Sequence, residues 1–134
     1  MVADIATDAG VDTLAAAAGD IDVLINNYGA PQGSDWHSMD KWTQAWDHNV
    51  LVGVRVAQAF MPAMREIGWG RIIFLGTVGT QRPGRRNPAY YSAKTALPVL
   101  VRTLAMELRG TGVTANLVSP VSYTHLTLPT ICSV

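Results

Sequence analysis

Short continuous apolar runs alternate with long helical stretches along this chain. The runs are residues 21–25, which end at Asn26-Asn27, residues 71–75, and residues 113–118. β-branched residues are frequent in them and no sustained polar alternation breaks them, which predicts buried parallel strands. Helical periodicity fills the intervals. Residues 12–18 are alanine-rich and stop at Gly19, and residues 39–67 are helical up to Gly68 and Gly70. A second long helix is predicted from Pro88, whose fixed φ suits a first turn, to about residue 109, before Gly110 and Gly112. Pro98 should kink that helix or interrupt its hydrogen-bond ladder. Residues 31–38 and 76–87 read as loops. Strand, helix, strand, helix, strand predicts one α/β domain, a parallel sheet flanked by helices.

Both long helices carry more apolar residues than a single stripe against a sheet requires. Ala57 and Val101 are among those expected to face outward, so a second covering surface is predicted, from the same chain or another subunit.

Composition narrows the function classes. Hydrophobic residues make up 49% of the 134 and charged residues 15%, which excludes a disordered tail. Net charge is zero, so no bulk attraction to nucleic acid or an acidic membrane surface is expected. The lone cysteine, Cys132, forms no internal disulfide and leans toward a cytoplasmic setting. No run is long enough to span a membrane, and no secretory leader is visible at the N-terminus. His37, His48 and His125 have no metal-ligand spacing with each other or with Cys132, and no metal is expected.

The chemistry-bearing pattern begins with Tyr90 and Lys94, four apart at the start of the second long helix and so on one face of it. A nearby cation favours phenolate and lowers a tyrosine pKa from its usual value of about 10, fitting the phenol for proton exchange with an alcohol or carbonyl. Alone this spacing is common. Its context is not: Thr77 follows the 71–75 strand, Asn26-Asn27-Tyr28-Gly29 follows the 21–25 strand, and Ser119-Pro120 follows the 113–118 strand. Open parallel sheets bind ligands beyond these carboxyl ends.

With Asn49 in the first long helix and Gly70-Arg71-Ile72 opening a strand, the chain from Asp4 to Pro120 resembles the classical short-chain dehydrogenase/reductase family, of the 3-oxoacyl-carrier-protein reductase kind. The resemblance implies a Rossmann-like doubly wound parallel sheet, present here in part. It implies an NAD- or NADP-dependent oxidoreductase moving hydride between nicotinamide and a carbonyl or secondary alcohol. Tyr90 would be the acid/base and Lys94 would tune it and hold the nicotinamide ribose. Asn49 would support a proton-relay water, and Thr77 would stand where serine is usual. Asp4, Asn26, Asn27, Gly29 and Pro120 would join Tyr90 and Lys94 in cofactor binding, Asp4 at the end of an apparent strand over residues 2–5. The full-length parent would be a homodimer or homotetramer acting on a small molecule, with no nucleic-acid or membrane partner.

Several features depart from the pattern. Tyr28 replaces a usual alanine, which reads as a packing variant. Arg82, Arg85 and Arg86 sit in the loop that lines the substrate mouth in this family, where they either favour an anionic group or are simply solvated. The family's glycine-rich phosphate turn is missing, so the domain over residues 1–120 reads as a fragment that is itself inactive. Residues 121–134 match nothing in the family. The ten residues from Val121 to Thr130 correspond to one reading frame of a common transposase sequencing adapter, so this stretch is expected to be processing-derived. A rival class, a non-catalytic nucleotide-binding sensor or partner of the same fold, is opposed by the intact Tyr90, Lys94 and Asn49.

Overall fold

The computed structural model describes residues 2–120. Helix α1 (Asp8–Ala18) leads to strand β1 (Val23–Asn26). Helix α2 (Met39–Trp46), a π turn (Asp47–Leu51) and helix α3 (Val52–Ile67) follow without a break. Strand β2 (Gly70–Leu75) runs into a 3₁₀ turn (Val78–Gln81), then helix α4 (Pro88–Glu107) and strand β3 (Val113–Val118). The three strands are parallel in the order β1-β2-β3, with Leu24 beside Ile72 and Ile72 beside Ala115.

Those three residues share one face of the sheet and are buried there with Val52, Phe60, Leu97 and Val101 of α3 and α4. Helix α1 packs on α3, contributing Val11 to the same core. Alternate residues point the other way. Ile25 is 59% exposed, and Thr114 and Asn116 are exposed, so the opposite face is uncovered among the described residues. The continuous apolar reading therefore overstated β3, whose Val-Thr-Ala-Asn order is a one-sided strand.

Three local expectations change. Helix α1 begins four residues earlier than predicted, because Thr7 caps it: its Oγ1 accepts from the Gly10 N–H at 3.1 Å. No strand forms over residues 2–5. Asp4 sits exposed in a turn, where its Oδ1 accepts from the Ala6 N–H at 3.1 Å and its carbonyl accepts from the Thr7 N–H at 3.0 Å. With no strand among the described residues to pair with, the backbone closes locally and the Asp side chain satisfies an amide of that turn. Ala57 and Val101 are 5% and 6% exposed, buried within this chain rather than facing outward. Much of the helices' apparent surplus thus covers their own sheet, while Leu51, Val99 and Met106 remain exposed.

Pro98 lies within α4 as predicted, and α3 contains Pro62, which the pattern reading passed over. Each removes one N–H from its ladder. Residues 121–134, and with them the adapter reading, Cys132 and His125, lie outside the described residues.

Candidate active site

The carboxyl ends of β1 and β2, the π turn and the first turns of α4 converge. Lys94 is drawn in first. It is only 6% exposed, and its ammonium donates to the Leu75 carbonyl at the end of β2 at 2.9 Å. Burial lowers its pKa. Asn87 (φ 63°) turns the chain into α4 in the left-handed region that asparagine tolerates, and Pro88 opens the helix. No side chain of Asn87 caps that end. Ser34 reaches across instead, its Oγ accepting from the Ala89 N–H at 3.0 Å, so the loop after β1 is tied to the helix that carries Tyr90.

Tyr90 is half-buried, one turn before Lys94, with its ring edge-on to Tyr91 at 5.4 Å. Burial raises its pKa; the Thr77 hydroxyl beside it opposes that shift and Tyr91 adds to it. The expectation that Lys94 lowers the Tyr90 pKa is not met, because desolvation of the phenol dominates and the ammonium is directed at a backbone carbonyl. Thr77 itself caps the 3₁₀ turn, its Oγ1 accepting from the Gly79 N–H at 3.1 Å. The shift favours the neutral phenol, the form that donates a proton.

Asn49 occupies the middle of the π turn, where the Val52 N–H reaches back five residues to the Asp47 carbonyl. Such insertions in helices recur at functional sites, and nothing in the helical periodicity of residues 39–67 signalled this one. Asn49 is 4% exposed, and its Nδ2 donates to the Ala45 carbonyl at 2.9 Å and the Ala30 carbonyl at 3.4 Å. Gly29 lies flat against it, with φ 111°; a Cβ there would stand 2.5 Å from Asn49 Oδ1. Glycine is required on both counts.

Two buried side-chain polar atoms among the described residues have no hydrogen-bond partner: Asn26 Nδ2 and Asn49 Oδ1. Leaving such a group unsatisfied costs about 1–3 kcal/mol, and ligands or water commonly complete it. Asn27 and Pro120 are exposed at the ends of β1 and β3, on the same edge of the sheet. The structure thus brings Tyr90, Lys94, Thr77, Asn49, Asn26 and Gly29 to one end of the sheet, with Asp4 held in its own turn. Of the three loop arginines only Arg85 lines the cavity of about 740 Å³ beside Tyr91, with Trp36 and Thr80. Among the described residues no group of three His, Cys, Asp or Glu side chains is placed to hold a metal, and no helix is long and apolar enough to cross a membrane.

Comparison with known proteins meets this geometry. The short chain dehydrogenase family model matches residues 1–127. The acetoacetyl-CoA reductase of Cupriavidus necator is 32% identical over 116 residues, covering 85% of this chain and 47% of the relative. The 3-oxoacyl-[acyl-carrier-protein] reductase of Salmonella typhimurium is 33% identical over 114 residues, covering 82% and 46%. The structure of L-sorbose reductase from Gluconobacter frateurii, complexed with NADPH and L-sorbose, superposes with a TM-score of 0.81 at 30% identity, covering 89% of this chain and 48% of that one. The chain spans about half the length of the relatives it matches. Its fold is thus the α/β, Rossmann-like parallel sheet of those structures, in part, and the chain belongs to the short-chain dehydrogenase family.

Proposed function

We propose that this chain is the catalytic half of a longer nicotinamide-dependent carbonyl reductase or alcohol dehydrogenase. The observation that carries the reading is the convergence of a half-buried Tyr90, a buried Lys94 and a buried, under-bonded Asn49 at the carboxyl end of a parallel sheet. Relatives named as reductases of acetoacetyl-CoA, a 3-oxoacyl-carrier protein and L-sorbose support it. NAD or NADP would supply or accept the hydride when bound. Lys94, Tyr90, Asn26, Gly29, Asn27 and Pro120 are the residues that would hold it. Asp4 is left out of that set because its turn replaces the strand that would have presented it.

In the reducing direction Tyr90 gives its phenolic proton to the substrate oxygen, and Thr77, on the 3₁₀ turn beside it, orients that oxygen through its hydroxyl. Lys94, released from the Leu75 carbonyl, stabilises the phenolate that remains. Asn49 and the widened backbone of its π turn hold the water that returns a proton. The substrate is a small carbonyl or secondary alcohol. Residues 121–134 are proposed to be foreign to the enzyme.

The groove between α3 and α4, lined by Val54, Met61, Leu100 and Leu104, is the surface that a second subunit would cover in a homodimer or homotetramer. The full-length enzyme, recovered from source DNA and incubated with NADH or NADPH and a panel of ketones and 3-oxo esters, should consume the reduced cofactor with at least one of them. Binding of cofactor without turnover across the panel would instead favour the non-catalytic sensor reading. Thr103→Arg, a change at an exposed position of α4 that lines this groove, should shift the enzyme toward monomer in sedimentation; an unchanged oligomer would count against this face.

A further inference from the structure

His48 precedes Asn49 in the π turn, and its side chain is held by two residues of the segment after β1. The Tyr28 ring meets it edge-on at 5.6 Å, and the Gln32 carboxamide hydrogen-bonds its Nδ1. Either end of that carboxamide can meet the ring nitrogen, Nε2 donating to a bare Nδ1 or, flipped, Oε1 accepting from Nδ1–H, so the bond does not depend on the imidazole tautomer. Between these anchors, Gly29 lies against the His48 carbonyl and the Asn49 side chain, and the Ala30 carbonyl accepts from Asn49 Nδ2 at 3.4 Å.

That last bond is the loosest of the set, beyond the usual 2.7–3.2 Å for an N–H···O contact. Its alignment depends on where Ala30 sits, and Ala30 is bracketed by the two residues fastened to His48. Core packing does not explain Tyr28: it is 41% exposed, and its described aromatic contact is His48. A change of a few tenths of an ångström at Ala30 would free one anchor of a carboxamide whose Oδ1 is buried without a partner.

We propose that His48 is a positioning residue that straps the 28–32 segment onto the π turn through Tyr28 and Gln32 and so fixes the Asn49 carboxamide. The inference rests on the reading of Asn49 as part of the proton path, and it assigns Tyr28 a use beyond packing. His48 acts through Asn49.

The test uses the full-length enzyme with His48→Ala, Tyr28→Ala, the double variant and Gln32→Ala, with Tyr90→Phe as control. In cofactor-free enzyme, backbone N–H order parameters at Gly29, Ala30 and Gln32 should fall in His48→Ala from rigid-backbone values of about 0.85 to below about 0.6, while those of the sheet are kept. The kcat should fall about tenfold with substrate KM unchanged, as expected for a misplaced catalytic group rather than lost binding. Adding Tyr28→Ala to His48→Ala should cost little more, because both changes cut the same strap. Gln32→Ala, at an exposed position, should move the order parameters and kcat in the same direction by less, and it keeps the test decisive if His48→Ala folds poorly. Unchanged order parameters at Gly29, Ala30 and Gln32, or additive effects of Tyr28→Ala and His48→Ala, overturn the proposal. So does an unchanged kcat while Tyr90→Phe abolishes turnover. If Tyr90→Phe keeps its turnover, the catalytic reading fails by itself, and the order parameters still decide the strap.

Discussion

The two ends of the sheet are built on different terms. At the amino ends, groups are matched. Arg71 lies over the Trp69 ring at 4.6 Å and donates from Nη1 to the Gly70 and Gly112 carbonyls at 2.8 and 3.1 Å. The Arg71 N–H donates to the Asp22 carbonyl at 2.9 Å, continuing the β1–β2 ladder. At the carboxyl ends, a lysine is buried against a single carbonyl, a helix is widened by a π turn, and both partnerless buried polar atoms among the described residues are found. The amino end is what stability alone produces. The carboxyl end keeps polar groups in low dielectric with bonding capacity unspent, a cost that ligand binding or proton transfer can offset.

If the contrast is real, substitutions should separate function from stability according to the end they touch. The largest effect is expected for Gly29→Ala, which brings a methyl against Asn49 at a backbone angle that alanine avoids. It should cost about 2–4 kcal/mol in chemical denaturation and lower turnover as well.

Lys94→Met tests the price of the buried ammonium through pH. With its folded pKa depressed below 10.5, Lys94 binds fewer protons than in the unfolded chain as pH approaches 10.5, so wild-type stability should rise with pH in that window. Tyr90, with its folded pKa raised, acts in the opposite sense: the folded state keeps a proton that the unfolded state loses, so its contribution falls as pH climbs past 10.0. Denaturation curves across the alkaline range should show the rise in wild type and its loss in Lys94→Met. A slope unchanged by the substitution would mean that the lysine is solvated.

The smallest effect is expected at the other end. Arg71→Met should cost about 1 kcal/mol of stability and leave turnover at its wild-type value. A large loss of turnover there would break the contrast between the two ends.

Much of this was legible in the chain itself. The three strands were marked by their β-branched runs, and α4 by Pro88 and Gly110 at its ends. Tyr90, Lys94, Thr77, Asn49 and Asn26 were marked by motif order, and the structure gathers them. What sequence could not carry is pairing and electrostatic balance. Residues 2–5 have strand composition, yet a strand exists only where a neighbour supplies hydrogen bonds, and Asp4 closes a turn instead. Val101 and Ala57 read as outward because both long helices are apolar on several sides; only their placement over the sheet reveals which side is covered. The Tyr90–Lys94 spacing fixed the face but not the field, since desolvation and the Leu75 carbonyl depend on chain folded from elsewhere. The π turn has no composition cue, and the His48 contacts to Tyr28 and Gln32 cross sixteen or more residues.

The central claim is that Tyr90, and not its neighbour, moves the proton. Tyr90→Phe and Tyr91→Phe in the full-length enzyme isolate it, since the two rings touch and each variant removes one hydroxyl. Single-turnover oxidation of bound reduced nicotinamide should slow by about 10²–10⁴-fold in Tyr90→Phe, with cofactor affinity kept, and by little in Tyr91→Phe. Near-normal turnover in Tyr90→Phe, or an equal loss in both variants, would contradict the account.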